Sequence, residues 1–187
     1  SHGYYVASSP SPMRITGPLT DTTQIYQYAS DQKEDMEFIY NELKQLKNVD
    51  PEHLTVIGYS FGGRGAFLVL NDWNNTKAYV SLGGGFANKV GRHWLDGVRV
   101  HPEKIVTPIL HIYQDTESYV VPDFTLVNSL VHSDRFLIKI DQMRHPFFAN
   151  MGMAIGTVPG LDLPGVDKKD VRRKFETVCK LTLGFLN

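Results

Sequence analysis

The feature that most restricts the fold of this chain is the segment LTVIGYSFGGRG, which covers Leu54–Gly65. Its first four residues form a nearly continuous apolar run, a pattern typical of a parallel strand that is buried on both faces. Ser60 then stands between Gly58 and Gly62, and we expect both glycines to be required by crowding in a tight turn. Because apolar residues follow at helical spacing, the segment predicts a strand, a strained turn that exposes the Ser60 hydroxyl, and a helix.

Strand and helix patterns alternate along the rest of the chain. Apolar, β-rich runs predict strands at 3–7, 54–57, 78–82, 108–113 and 136–140. Helical spacing predicts helices from 31 to about 48, with Asp31 and Glu34 as a capping box, and at 62–71, 123–131 and 168–185. Residues 86–106 are expected to be irregular and 146–166 to form a long loop. This alternation predicts an α/β fold with a mostly parallel sheet and helices on both faces.

Size and charge limit the possible functions. We expect 187 residues to form one domain, 1–187, with a sizeable core. The 19 Lys and Arg and 20 Asp and Glu are scattered along the chain, which predicts no nucleic-acid partner. No apolar run approaches the roughly 18 residues of a membrane span. Cys179 is the only cysteine, so no intrachain disulfide can form, and its amphipathic setting predicts a buried side chain.

These motifs together resemble a known superfamily, the α/β-hydrolases. Within it the chain resembles the dienelactone-hydrolase-like and platelet-activating-factor-acetylhydrolase-like serine esterases. The resemblance rests on the G-x-S-x-G turn, which looks like their nucleophile elbow, and on three flanking segments: SHGYYV at 1–6, VDP at 49–51 and TPIL at 107–110. It implies an α/β-hydrolase fold and a serine nucleophile, Ser60, which attacks a carbonyl carbon.

The same resemblance directs the search for the catalytic histidine. Members of the superfamily carry their triad in the order Ser, acid, His along the chain. Of the seven histidines, only His145 lies just beyond the last predicted strand, and the sequence around it resembles the family's histidine-containing ending. The histidine spacings match no metal-ligand motif, so we predict no metal site and no cofactor.

Two carboxylates compete for the acid position. Asp115 and Glu117 both follow the strand predicted at 108–113. The family's spacing favours Glu117, whereas residue type and proximity to the strand favour Asp115. The acid would hold the imidazole in one tautomer and stabilise the imidazolium. Some relatives place the acid one strand earlier, but this chain has SLGGG there, at 81–85, with no carboxylate.

Complete members of the superfamily have further strands before the one that SHGYYV resembles. We therefore expect a chain that lacks the N-terminal strands and the loop that supplies a second oxyanion donor, leaving the backbone N–H of Phe61 as the candidate donor. Without those strands, the sheet would have an unpaired edge strand. We therefore expect a homo-oligomer or pairing with the missing N-terminal segment. Five aromatic side chains could line an acyl pocket but are more typical of core: Phe61, Phe86, Trp94, Phe147 and Phe148.

The sequence thus predicts a serine hydrolase that cleaves small-molecule carboxylic esters through an acyl-enzyme. Ser60 would be the nucleophile and His145 the general base. Two alternatives stay open at this point. One is a peptidase or acyltransferase with the same residues. The other is a catalytically impaired scaffold or fragment with a hydrolase-like fold.

Overall fold

The computed structural model describes residues 21–97, 99–117, 121–161 and 163–187. Its strands are β1 (Leu54–Tyr59), β2 (Thr76–Leu82), β3 (Ile109–Tyr113) and β4 (Arg135–Lys139). Its α-helices are α1 (Thr22–Leu43), α2 (Gly62–Leu68), α3 (Lys89–Asp96), α4 (Thr125–Ser129), α5 (Asn150–Thr157) and α6 (Lys168–Leu186). The described residues also form three 3₁₀ turns, Val69–Asn71, Pro102–Lys104 and His145–Phe148. The strand expected at 3–7 lies outside the described residues.

The four described strands form one parallel sheet in the order β1-β2-β3-β4. Each strand therefore lies beside the next one in the chain, and a helix connects each pair, as the alternating pattern predicted. Tyr59 is paired with Leu82, and Leu82 with Ile112, so the carboxyl ends of β1, β2 and β3 meet at one edge of the sheet. The residues that follow these strands come together there.

Helices cover both faces of the sheet, which confirms the predicted architecture. Neighbouring residues of one strand, such as Tyr79 and Val80, belong to two separate buried clusters because side chains alternate between the faces. Helices α1, α2, α3 and α4 pack on the first cluster, and α5 and α6 on the second. Both clusters are built mainly from aliphatic and aromatic side chains, so burial of apolar surface holds the helices on the sheet.

The N-cap of the first described helix lies ten residues earlier in the chain than the sequence predicted. Asp21, not Asp31, caps α1: its carboxylate accepts the N–H of Thr23 at 2.8 Å and of Gln24 at 3.4 Å. Asp31 lies inside the helix and accepts a hydrogen bond from Gln27 Nε2 at 2.9 Å. The capping-box assignment at Asp31 was therefore wrong, because its spacing with Glu34 also fits the interior of a helix.

Two segments without a clear period also contain helices. Within 86–106, helix α3 is capped by the side chain of Asn88, which accepts the N–H of Val90 at 2.9 Å. Within 146–166, helix α5 packs on α6 and buries Ile155. The expectation of irregular structure was wrong for both segments because each helix has only 8 residues, too few to display a period.

Two burial predictions were also wrong. Ile57 of β1 is 53% exposed, because β1 is an edge strand of the described sheet and one of its faces is open. Cys179 is exposed, while its neighbour Val178 is buried, since successive residues of a helix point about 100° apart.

In the described part of the chain, no helix combines the length and the apolar character that crossing a bilayer requires.

Candidate active site

Ser60 occupies a strained turn between β1 and α2. Its φ angle is 54°, in the left-handed region that non-glycine residues seldom adopt, at a cost of about 1–3 kcal/mol. Two backbone hydrogen bonds hold the turn against the end of β2. The Ser60 N–H donates to Leu82 O at 3.0 Å, and Ser60 O accepts the Gly85 N–H at 3.2 Å. Ser60 therefore sits at the carboxyl edge of the sheet.

The glycines around Ser60 are not equivalent. A Cβ on Gly58 would lie 2.6 Å from Gly63 Cα and 2.8 Å from Ala66 Cβ, so this glycine is required by crowding, as expected. A Cβ on Gly62 would have no described atom within 4 Å, so the described residues do not show the crowding predicted there. The crowded position is instead Gly63, whose Cβ would lie 2.8 Å from Gly84 Cα. The helix thus contacts the sheet edge through Gly63.

His145 stands directly opposite Ser60. It begins the 3₁₀ turn His145–Phe148, which follows β4, and its Nε2 lies 2.7 Å from Ser60 Oγ. This distance is within hydrogen-bond range, so the imidazole is placed to accept the hydroxyl proton. The two residues are separated by 85 positions in the sequence, and the parallel sheet brings them together.

Glu117 reaches the same histidine from the loop after β3. Its Oε1 accepts the backbone N–H of His145 at 2.9 Å. The loop after β3 is also joined to the loop after β4, because Thr116 Oγ1 donates to Met143 O at 2.7 Å. Gln114 Oε1 in turn accepts the N–H of Thr116 at 2.5 Å and that of Glu117 at 3.4 Å. Local hydrogen bonds therefore hold the loop, and the N–H of His145 holds the carboxylate next to the histidine.

The surroundings of His145 control its pKa. Burial lowers the pKa of the imidazole below its ordinary value, and the negative charge of Glu117 acts in the opposite direction. Because burial has the larger effect, the imidazole is neutral at pH 7. A neutral imidazole is the form that accepts a proton.

Asp115, the competing acid, lies elsewhere. Its carboxylate is 2.8 Å from Lys139 Nζ, in an ion pair whose side chains are 47% and 41% exposed. The structure brings Ser60, His145 and Glu117 together and leaves Asp115 on the surface.

The earlier strand cannot supply an acid next to the imidazole. Gly83, which follows β2, has a φ angle of 58°, and a Cβ there would lie 3.0 Å from both Cε1 and Nδ1 of His145. The ring therefore fills the space that a side chain at position 83 would need.

Phe61, the candidate oxyanion donor, follows Ser60 with helical backbone angles, φ −62° and ψ −38°. It precedes α2, so its N–H belongs to the helix-start donors that have no partner within a helix.

The five aromatic residues divide between core and site. Phe86, Trp94, Phe147 and Phe148 are buried, whereas Phe61 is half-buried. Phe148 also lines an apolar groove of about 420 Å³ between β1 and α6, and its ring stands edge-on to the His145 imidazole.

Two residues at this site were not found from the sequence. Tyr59 stacks on the imidazole with 5.3 Å between ring centroids, and Gly83 bounds the imidazole at its Cε1 and Nδ1 atoms. The only sequence hint was their position, directly before Ser60 and at the end of β2.

In the described part of the chain, no cluster of three or more His, Cys, Asp or Glu residues is arranged to hold a metal ion.

Neither a protein-family model nor a curated protein sequence matches the chain. Solved structures do. A dienelactone hydrolase-like promiscuous phosphotriesterase from metagenomic libraries aligns with a TM-score of 0.55 and 18% identity, over 85% of this chain and 63% of that one. An acylaminoacyl peptidase of Pyrococcus horikoshii aligns with a TM-score of 0.51 and 15% identity, over 81% of this chain and 27% of that one.

The chain thus spans less than two thirds of the length of either structure. At this level of identity the similarity concerns the fold. The order of the elements, the parallel sheet with helices on both faces and the strained serine after β1 agree with it. The chain therefore has the α/β-hydrolase fold.

Proposed function

We propose that the chain carries the catalytic residues of a serine hydrolase that cleaves carboxylic esters. The observation that carries this proposal is the 2.7 Å contact between Ser60 Oγ and His145 Nε2. A serine hydroxyl is a weak nucleophile on its own and becomes active when an adjacent base takes its proton. The lowered pKa of His145 supports this role, because it keeps the imidazole unprotonated at neutral pH.

The reaction begins when Ser60 Oγ attacks the ester carbonyl carbon. The hydroxyl proton passes to His145 Nε2, and the carbonyl π electrons move onto oxygen to form a tetrahedral oxyanion. The N–H of Phe61 is the candidate donor to that oxyanion. When the intermediate collapses, the bond to the alcohol breaks and His145 returns the proton to the leaving oxygen. Water then attacks the acyl-enzyme by the same route and releases the acid.

Glu117 supports both steps. Its negative charge lies beside a ring that becomes positive during proton transfer, so it stabilises the imidazolium. Its hydrogen bond to the backbone N–H also fixes the position of His145. One carboxylate thus provides electrostatic stabilisation and orientation.

A fluorophosphonate probe, with mass-spectrometric location of the modified residue, tests the proposal. We expect phosphonylation of Ser60 in the unaltered chain, none in Ser60→Ala, and a loss of at least about 10³-fold in His145→Ala. Thermal unfolding of each variant controls for misfolding. Modification of another residue, or equal labelling of His145→Ala, would refute the assignment, and absence of labelling would favour a non-catalytic scaffold.

The same residues could cleave amides. The alignment with a structure described as an acylaminoacyl peptidase motivates this second candidate. Matched ester and anilide substrates with the same acyl group distinguish the two. We expect turnover of the ester, since the alcohol is the better leaving group, and faster turnover of the anilide would assign peptidase chemistry instead.

A further inference from the structure

Tyr59, the residue before Ser60, contacts His145 in two separate ways. Its ring stacks on the imidazole, with centroids 5.3 Å apart and planes inclined by 25°. Its hydroxyl donates a hydrogen bond to the backbone oxygen of His145 at 3.1 Å. These contacts join residues 86 positions apart, so they depend on the tertiary fold.

The contacts of Tyr59 complement those of other neighbours. Glu117 accepts the N–H of His145 and Tyr59 donates to its C=O, so both backbone polar groups of the histidine are held by side chains. The imidazole lies against the Tyr59 ring, and its Cε1 and Nδ1 atoms approach Gly83. Backbone and ring are thus both restrained.

Tyr59 itself is well anchored. It is the last residue of β1 and is paired with Leu82 of β2, and Ser60 directly follows it. Movement of Tyr59 would therefore move the serine as well. A side chain at this position can couple the placement of the histidine to that of the serine.

We propose that Tyr59 is a positioning residue, which holds the imidazole of His145 in line with Ser60 through its ring and its hydroxyl. The proposal rests on the function proposed above. Correct placement of a reacting group can contribute several orders of magnitude to a rate, so a residue that restrains the base affects catalysis without contacting the substrate.

The two contacts have different chemical effects. The hydroxyl acts on the backbone and orients the histidine. The ring presents its negative face to the imidazole, which favours the protonated form during proton transfer. Among the described residues, Glu117 acts on the pKa of His145, and the guanidinium of the adjacent Arg144 lies over the Phe147 ring at 5.7 Å.

Three variants of the full chain test the proposal: Tyr59→Phe, Tyr59→Leu and the control Tyr113→Phe. Tyr113 also ends a strand and stacks on a histidine, His111, which is buried and distinct from His145. The rate of fluorophosphonate labelling is measured from pH 4 to 9, and thermal unfolding verifies the fold.

We expect Tyr59→Phe to slow labelling about three- to tenfold, the size of one lost hydrogen bond, with the midpoint of the pH profile unchanged. Tyr59→Leu should slow it by more than about tenfold and move the midpoint to lower pH, because the stacked ring no longer favours the imidazolium. Tyr113→Phe should label at the unaltered rate. A purely structural role would change stability without shifting this midpoint.

Equal labelling rates and equal midpoints for Tyr59→Leu and Tyr113→Phe would overturn the proposal. If Tyr59→Leu does not fold, the test rests on Tyr59→Phe. Labelling of Tyr59→Phe at the unaltered rate would then overturn the proposal. NMR titration of the His145 Cε1–H measures the pKa of the imidazole and does not depend on the labelling reaction. If the unaltered chain does not label, the proposed function fails, and an unchanged His145 titration in Tyr59→Leu refutes the role of Tyr59 as well.

Discussion

Gly83 provides the sharpest test of how closely the site is packed around its histidine. A Cβ at this position would lie 3.0 Å from His145 Cε1 and Nδ1 and 3.4 Å from Phe148 Cδ2. Carbon atoms in favourable contact are about 3.5–4.0 Å apart, so the imidazole would have to withdraw by roughly 0.5 Å or more. Gly83→Ala should therefore move Nε2 away from Ser60, since the ring is rigid.

Gly83→Ala should lower both the stability of the protein and the rate at which Ser60 is labelled. Alanine at a φ of 58° costs about 1–2 kcal/mol in stability because of its left-handed backbone. Displacement of the base has a larger effect on rate. The contact between Ser60 and His145 is 2.7 Å long, and a misplacement approaching 1 Å can cost about 10²-fold. We expect labelling of Ser60 to slow about 10- to 100-fold while the protein remains folded.

Gly160→Ala is the matched control. Gly160 has a φ angle of 79°, but a Cβ there would have no described atom within 4 Å. Both variants should lose similar stability in thermal unfolding, and only Gly83→Ala should react more slowly with the fluorophosphonate. If Gly83→Ala folds and labels as fast as Gly160→Ala, the imidazole is not confined by the backbone at position 83.

Three further predictions concern charge and packing at the site. Burial lowers the pKa of His145, and only the neutral imidazole accepts a proton. The rate of labelling should therefore fall as the pH decreases through a midpoint below about 6.5. A midpoint above pH 7 would contradict this prediction. Glu117→Gln should slow labelling and lower this midpoint further, whereas Asp115→Asn, at an exposed ion pair, should change neither. In denaturant unfolding, Gly58→Ala should lose about 1–3 kcal/mol by overpacking, and Gly62→Ala should be tolerated; equal stabilities would refute the crowding at Gly58.

The ambiguity between the two acids shows where sequence reasoning ended. Asp115 and Glu117 lie two positions apart after the same strand, so spacing alone supports either. In the structure, Asp115 meets Lys139 at the surface and Glu117 meets the backbone of His145. The direction of a side chain in a loop depends on contacts with distant segments, which no local pattern encodes.

The missed helices have a similar origin. The start of α1 depends on the capping hydrogen bonds of Asp21, and α3 and α5 are too short for a detectable period. Such elements form because they cover apolar surface. Phe86 and Trp94 around α3 are fully buried, although the pattern around them appeared irregular.

The sequence alone predicts the strand, the strained turn and the helix around Ser60, and the alternation that builds a parallel sheet. These follow from apolar periodicity and glycine placement, which act over a few residues. The contacts of Glu117 and Tyr59 with His145, and the room that Gly83 leaves for its ring, became visible only in the folded chain. The two hydrogen-bonded contacts join residues 28 and 86 positions apart, so they arise from packing across the sheet edge.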